Sequence, residues 1–225
     1  MEYEDSPKCQ MQRRKLVEAI QSKGIRDARV LTAIGRIPRH LFMPESLRNK
    51  AYMDNAFPIG NEQTISQPYT VAYQTWLLNV EPGMKVLEVG TGSAYQAAVL
   101  AQMGAEVYTI ERQKKFYDRN KQFTYLQRFS NLHFCYGDGY NGWPEAAPFH
   151  RILITAAPEK IPGELIKQLL PGGLLVAPVG RPGMQRMVRI TKGMDNTITE
   201  EQFDHFAFVP MLPGIQNLPE GGASP

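Results

Sequence analysis

Val86-Leu87-Glu88-Val89-Gly90-Thr91-Gly92-Ser93-Ala94-Tyr95 carries an apolar run into a glycine turn and on into a helix-forming sequence. A second apolar run, Val107-Tyr108-Thr109-Ile110, ends in Glu111, about 20 residues after the glycines. In an open α/β sheet this succession builds a nucleoside site. The glycines let a ligand approach the backbone, and the acid accepts hydrogen bonds from two ribose hydroxyls.

The neighbouring residues narrow the choice of nucleoside. A dinucleotide fingerprint places Gly or Ala five residues after its first glycine, so that helix and strand pack closely around a pyrophosphate. Here the first glycine is Gly90 and that position is the bulky Tyr95. No Gly-Lys-Ser/Thr follows the turn, so the lysine of a phosphate loop is also missing. Glu88 stands two residues before Gly90, where an acid suits a ligand bearing an ammonium group. S-adenosylmethionine has that ammonium, a ribose and no phosphate. The pattern thus points to S-adenosylmethionine, against the plainer reading of a tight turn flanked by two surface acids.

Outward from this segment the chain alternates. Strands are expected at 85–89, 106–110, 132–136, 151–155 and 174–178, and helices at 95–103, 114–128 and 162–169. Such alternation implies a mostly parallel sheet with helices on both faces. After Gly180 the pattern changes: 186–191 and 204–209 read as two strands that join one edge antiparallel. On the N-terminal side, helices are expected at 11–21, 28–35 and 44–52, then a polar loop over 54–67 and a helix from Pro68 to about residue 78. Pro68 fits the first helical position, where a missing N–H costs nothing. The division expected is a helical subdomain with an active-site loop over 1–80, a Rossmann-like core over 81–216 and a tail over 217–225.

Ligands in open α/β sheets sit outside the carboxyl ends of the strands. Besides Gly90, Thr91, Gly92, Ser93 and Glu111, two further segments fall there: Gly137-Asp138-Gly139 and Thr155-Ala156-Ala157. Asp138 suits an adenine amino group, with room left for the base by its glycine neighbours; alone it also reads as an ordinary turn residue. The loop Gln63-Thr64-Ile65-Ser66-Gln67-Pro68-Tyr69 puts hydroxyls at a helix N-terminus. That arrangement favours anions, so Thr64 and Ser66 are candidates to hold a carboxylate. The segment 206–215 reads as an ordinary edge strand and tail, with packing over the substrate groove as the alternative.

Composition sets outer bounds. The 225 residues are 43% hydrophobic, enough for one sizeable core. The net charge of +3 (25 basic, 22 acidic residues) is too small to argue for nucleic acid. Cys9 and Cys135 show neither metal-ligand spacing nor a disulfide framework. No apolar run approaches a membrane span, and a cytoplasmic setting without membrane contact is the default expectation. His40, His133, His150 and His205 are scattered, so no histidine-centred triad is apparent.

Taken together, the segments 63–69, 86–95, 110–112, 137–139 with Trp143-Pro144, and 171–173 with 176–180 resemble the protein-L-isoaspartate O-methyltransferase family, over about 24–210. The Gln-Thr-Ile-Ser-Gln-Pro loop carries most of that specificity, since many methyltransferases share the glycine turn. The resemblance implies a class I S-adenosylmethionine-dependent methyltransferase: α/β, Rossmann-like and doubly wound, with an N-terminal helical extension and an antiparallel C-terminal edge. It implies methyl transfer to the free α-carboxylate of L-isoaspartyl and D-aspartyl residues in damaged proteins, then repair through a succinimide. It implies Ser66 as the active-site hydroxyl, with Thr64, Ile65 and Gln67 on the substrate. It places Glu88, Gly90, Thr91, Gly92, Ser93, Glu111, Asp138 and Gly139 on the cofactor. Partners would be isoaspartyl peptides and proteins, met by a monomer.

Three positions depart from the family pattern. Ala94 and Glu62 stand where glycine is usual, with Asn61 before Glu62, and His150 replaces an aspartate. These departures keep two alternatives in view: a methyltransferase of the same fold acting on a different carboxylate, and a non-catalytic scaffold that binds the cofactor.

Overall fold

The computed structural model of the chain describes residues 5–217. Of the expected tail, 218–225 lie outside the described residues. Seven strands form one sheet: β3 (Lys85–Val89), β4 (Glu106–Glu111), β5 (Leu132–Tyr136), β6 (Phe149–Ile154), β7 (Leu169–Val179), β8 (Arg186–Lys192) and β9 (Ile198–His205). Their order is β5-β4-β3-β6-β7-β8-β9. The first five are mutually parallel, and β8 and β9 add antiparallel at one edge. The chain winds outward from β3 through β4 to β5, then returns to the other side of β3 with β6. Strand order therefore reverses at β3, and a crevice opens beyond its carboxyl end.

Helices α1 (Pro7–Ser22), α2 (Ala28–Arg36), α3 (Pro68–Leu78), α4 (Tyr95–Gln102), α5 (Lys114–Gln122) and α6 (Gly163–Lys167) complete the layers. Two apolar clusters lie on the two sheet faces. One joins Leu16, Ile20, Ile34, Val71 and Leu78 to Val86, Val107 and the apolar residues of α4. The other gathers Leu87, Ile110, Ile152, Leu165 and Leu175. The central strands are buried on both faces, which is why they read as nearly unbroken apolar runs.

Four expectations are corrected. The loop expected over 54–67 contains a hairpin, β1 (Phe57–Gly60) and β2 (Gln63–Ile65). Its two-residue turn is Asn61-Glu62, both with positive φ (48° and 58°), as the common primed hairpin turns require. The helix expected over 114–128 stops at Gln122. Phe123 turns out to pack edge-on against Phe42, centroids 5.3 Å apart, and a 3-10 turn follows over Thr124–Arg128. The last strand is Ile198–His205 rather than 204–209. It is a polar, exposed edge bearing Glu200 and Glu201, so apolar patterning gives it no signal. The apolar alternation of Phe206 and Phe208 that suggested a strand serves packing against the first cluster instead. The short segment expected over 44–52 is a 3-10 turn, Glu45–Lys50.

Candidate active site

A cavity of about 510 Å³ opens at the carboxyl ends of the central strands, within the range usual for small-molecule sites. Its lining includes Thr64, Ile65, Ser66 and Gln67 from the β2–α3 junction, and Glu88 and Gly90 to Ser93 from the end of β3. Glu111, Gly139 and Thr155 line it too, as does the segment 204–212. Of the residues expected at the site, Asp138 alone lies off this surface.

The turn after β3 is fixed by its neighbours. Gly90 has φ +103°, and a Cβ there would stand 2.6 Å from Thr155 Oγ1. The Thr155 hydroxyl contacts the Gly90 carbonyl oxygen at 2.6 Å. Glu111 fastens the turn to β4: its carboxylate accepts from Gly92 N–H and Gln113 N–H, each at 2.8 Å. Burial raises the Glu111 carboxyl above its ordinary range, while those amides pull it down. A carboxylate has about four lone-pair sites, so capacity for ribose hydroxyls remains.

Glu88 is fully buried. Oε2 accepts from the Thr109 hydroxyl at 2.5 Å, and Thr109 in turn lies 2.6 Å from the Thr91 hydroxyl. Oε1 is buried without a hydrogen-bond partner. Burial pushes the carboxyl up to about 8, the Thr109 bond opposes this, and the charge of Glu111 adds to it. A buried acceptor with a free lone pair is costly to leave unmet. An ammonium group from a ligand would meet it, so the residues present fit S-adenosylmethionine.

Asp138 is engaged differently from expectation. One carboxylate oxygen accepts from Tyr140 N–H (2.9 Å), and the other from Gly214 N–H (2.7 Å). Its neighbour Gly139 meets the cavity, and a Cβ there would stand 2.3 Å from Val89 Cγ1. The cavity wall here is thus the Gly139 backbone, held by the turn that Asp138 caps.

The helix N-terminus expected to hold an anion is already occupied. Asp54, from the loop before the hairpin, accepts from Tyr69 N–H at 2.8 Å and from the Gln67 amide at 3.1 Å. Lys23 pairs with the same carboxylate at 2.5 Å. Asp54 therefore caps α3 from 15 residues away. Sequence reading missed it because an acid near a helix start signals a cap only when it is adjacent. Arg39 supports the same loop: fully buried, it donates to the Ala51 and Asn55 carbonyls and lies 4.9 Å from the centroid of the Tyr95 ring.

The segment 206–217 forms a strap that crosses the cavity over 206–212 and is anchored beyond it over 213–217. Ala157 N–H donates to Val209 O and Met211 N–H to Ala157 O. Farther on, the Arg112 side chain donates to Gly214 O and Pro213 O, and Gln216 N–H to Arg112 O. Packing over the groove, the less favoured reading of the sequence, is what the fold adopts.

The departures from family pattern resolve locally. Ala94 adopts φ +63° at the N-terminus of α4, and Glu62 lies in the hairpin turn. His150 Nδ1 accepts from Lys85 N–H at 3.0 Å, so it still ties down the start of β3.

Among the described residues, no helix is long and apolar enough to cross a membrane, and no cluster of acids, histidines and cysteines is arranged for a metal.

Comparison with known proteins agrees with this geometry. A protein named protein-L-isoaspartate O-methyltransferase in Christiangramia forsetii is 48% identical over 208 residues, 92% of this chain and 97% of that one. A protein of the same name in Dictyoglomus thermophilum is 45% identical, covering 92% and 94%. A solved structure also named protein-L-isoaspartate O-methyltransferase superposes with TM-score 0.79 at 27% identity, over 88% of this chain and 65% of that chain's length. A Plasmodium falciparum structure described as a putative enzyme of the same name, in complex with S-adenosyl-L-homocysteine, shares the fold: TM-score 0.77, 24% identity, 89% and 98% coverage. The family model for protein-L-isoaspartate(D-aspartate) O-methyltransferase matches residues 11–216, and the chain belongs to that family.

Proposed function

We propose that this chain transfers a methyl group from S-adenosylmethionine to the free α-carboxylate of L-isoaspartyl residues, and of D-aspartyl residues, in damaged proteins. The methyl ester then closes to a succinimide, which reopens in part to normal aspartate. One observation carries the site assignment: Ser66 and the β3 turn line a single cavity.

The acceptor carboxylate is ionised at pH 7, so no general base is required. S-adenosylmethionine supplies an electrophilic methyl on a sulfonium centre. What remains for the protein is to position the acceptor oxygen and exclude water. Ser66 donates a hydrogen bond that orients the carboxylate, and Thr64, Ile65 and Gln67 hold the peptide around it. Glu88 takes the cofactor ammonium, Glu111 the ribose hydroxyls, and the backbone of Gly90, Thr91, Gly92 and Ser93 the part between. Gly139, on the turn capped by Asp138, borders the adenine. The enzyme is read as a cytoplasmic monomer that acts on proteins and not on nucleic acid.

Methyl transfer from labelled S-adenosylmethionine to an isoaspartyl peptide, with the aspartyl peptide as control, tests the reading. Transfer to the isoaspartyl form alone is expected. Cofactor binding without transfer to either peptide would overturn it in favour of a scaffold.

A further inference from the structure

Tyr69, Tyr73 and Trp76 sit at i, i+4 and i+7 along α3, on one face of the helix. Their rings form a connected series: Tyr69 to Tyr73 at 5.9 Å and Tyr73 to Trp76 at 5.7 Å. Phe206 of the strap joins it, 5.1 Å from Tyr73. Tyr69 and Phe206 line the cavity. The series therefore starts inside the cavity and ends on the outside of the molecule at Trp76, which is 43% exposed. Tyr73 in the middle is buried, and its hydroxyl reaches Asp204 at 3.5 Å.

An indole left this open would ordinarily be buried or paired. Trp76 has only one edge contact within the series, with Tyr73. Seven residues of helix separate Tyr69 from Trp76, roughly 10 Å of rise. An extended peptide covers roughly the same distance in three residues. A polypeptide whose isoaspartyl carboxylate reaches Ser66 and which leaves along α3 passes over this aromatic path within three residues.

We infer that Trp76 is a specificity-determining residue: the path from Tyr69 to Trp76 receives an aromatic or large aliphatic side chain about three residues from the isoaspartyl residue. This rests on the methyltransferase activity proposed above. Stacking on an exposed indole favours such a peptide by about five- to tenfold in KM over one with serine at that position.

The test uses the full chain and two pairs of isoaspartyl peptides. One pair carries Phe or Ser three residues before the isoaspartyl, the other three residues after. In one pair the wild-type protein should show a KM for the Phe peptide about five- to tenfold below that for the Ser peptide. Trp76→Ala should bring that ratio close to one, and Trp76→Phe should keep most of it. Trp76→Gln, a longer side chain than alanine but without a ring, serves if the alanine variant folds poorly. A wild-type ratio near one in both pairs, with methylation intact, overturns this inference alone, as does a ratio that survives Trp76→Ala. A Trp76→Ala variant whose mass by light scattering changes while the ratio does not assigns the surface to a second copy of the chain and also overturns it. Absence of methylation of every isoaspartyl peptide overturns the underlying activity, and this inference with it.

Discussion

Glu88 has one carboxyl oxygen bonded to the Thr109 hydroxyl and the other bonded to nothing. Its carboxyl, pushed by burial from an ordinary 4.5 up to about 8, makes stability depend on pH. Below the ordinary value the group is neutral whether the chain is folded or not. Between the two values the unfolded chain releases the proton and the folded one keeps it. Stability therefore falls as pH rises through that window and levels off above the folded value. Glu88→Gln removes this contribution. Urea unfolding at about pH 5 and about pH 9 should show a smaller loss in the variant, by a few kcal/mol. Equal losses would mean the carboxyl is ionised throughout. Ser66 is simpler: Ser66→Ala should lower kcat by roughly a hundredfold by removing one positioning contact, with cofactor affinity retained. Wild-type turnover would remove Ser66 from the chemistry. Ala94 shows what sequence alone gives at this scale. Its departure from glycine is visible in the sequence, and the positive φ makes it cost about 1 kcal/mol. Burial of its methyl, which the sequence does not display, returns roughly as much.

The β1–β2 hairpin and the start of α3 present Thr64 to Gln67, the residues proposed to hold the substrate. Glu62 occupies a left-handed turn position at φ 58° that suits glycine. Glu62→Gly should stabilise the protein by up to about 1 kcal/mol, read as a rise of about 2–4 °C in thermal midpoint. No change would mean the hairpin melts independently of the rest. Asp54 caps α3 from outside the helix and also holds the Gln67 side chain. Asp54→Ala should cost about 1–2 kcal/mol of stability and raise the peptide KM while leaving cofactor affinity unchanged. Asp54→Asn, which keeps an acceptor for Tyr69 N–H, should recover much of both. An unaltered peptide KM in Asp54→Ala would separate the cap from the site. These elements also mark the limit of local reading. Pro68 announces α3 because proline at a first helical position is a local signal. The cap is a contact between residues 15 apart, and the hairpin turn uses Glu where its backbone calls for glycine; no local pattern reports either.

Over the whole molecule, alternating strands and helices and a glycine turn beside Glu111 lead from sequence to topology. The central parallel strands are the most apolar and the most legible. The polar edge strand β9 and the strap after it are the least legible, because solvent-facing backbone needs no pattern. The strap is held over the cavity in large part by Arg112, through Gly214 O at 3.0 Å, Pro213 O at 3.3 Å and Gln216 Oε1 at 3.4 Å. Arg112→Ala should loosen this closure and speed cofactor dissociation by about five- to tenfold in stopped-flow measurements. An unchanged rate would show that the strap is held by its other bonds, to Ala157, to Asp138 and to the Arg112 main chain.

The strap follows every other wall of the cavity in chain order. During synthesis the floor and sides therefore leave the ribosome before the roof. A nascent chain that has emerged only as far as β9 presents an open bowl, able to fold its sheet yet unable to shut out water. Methylating competence in this sense waits on the roof.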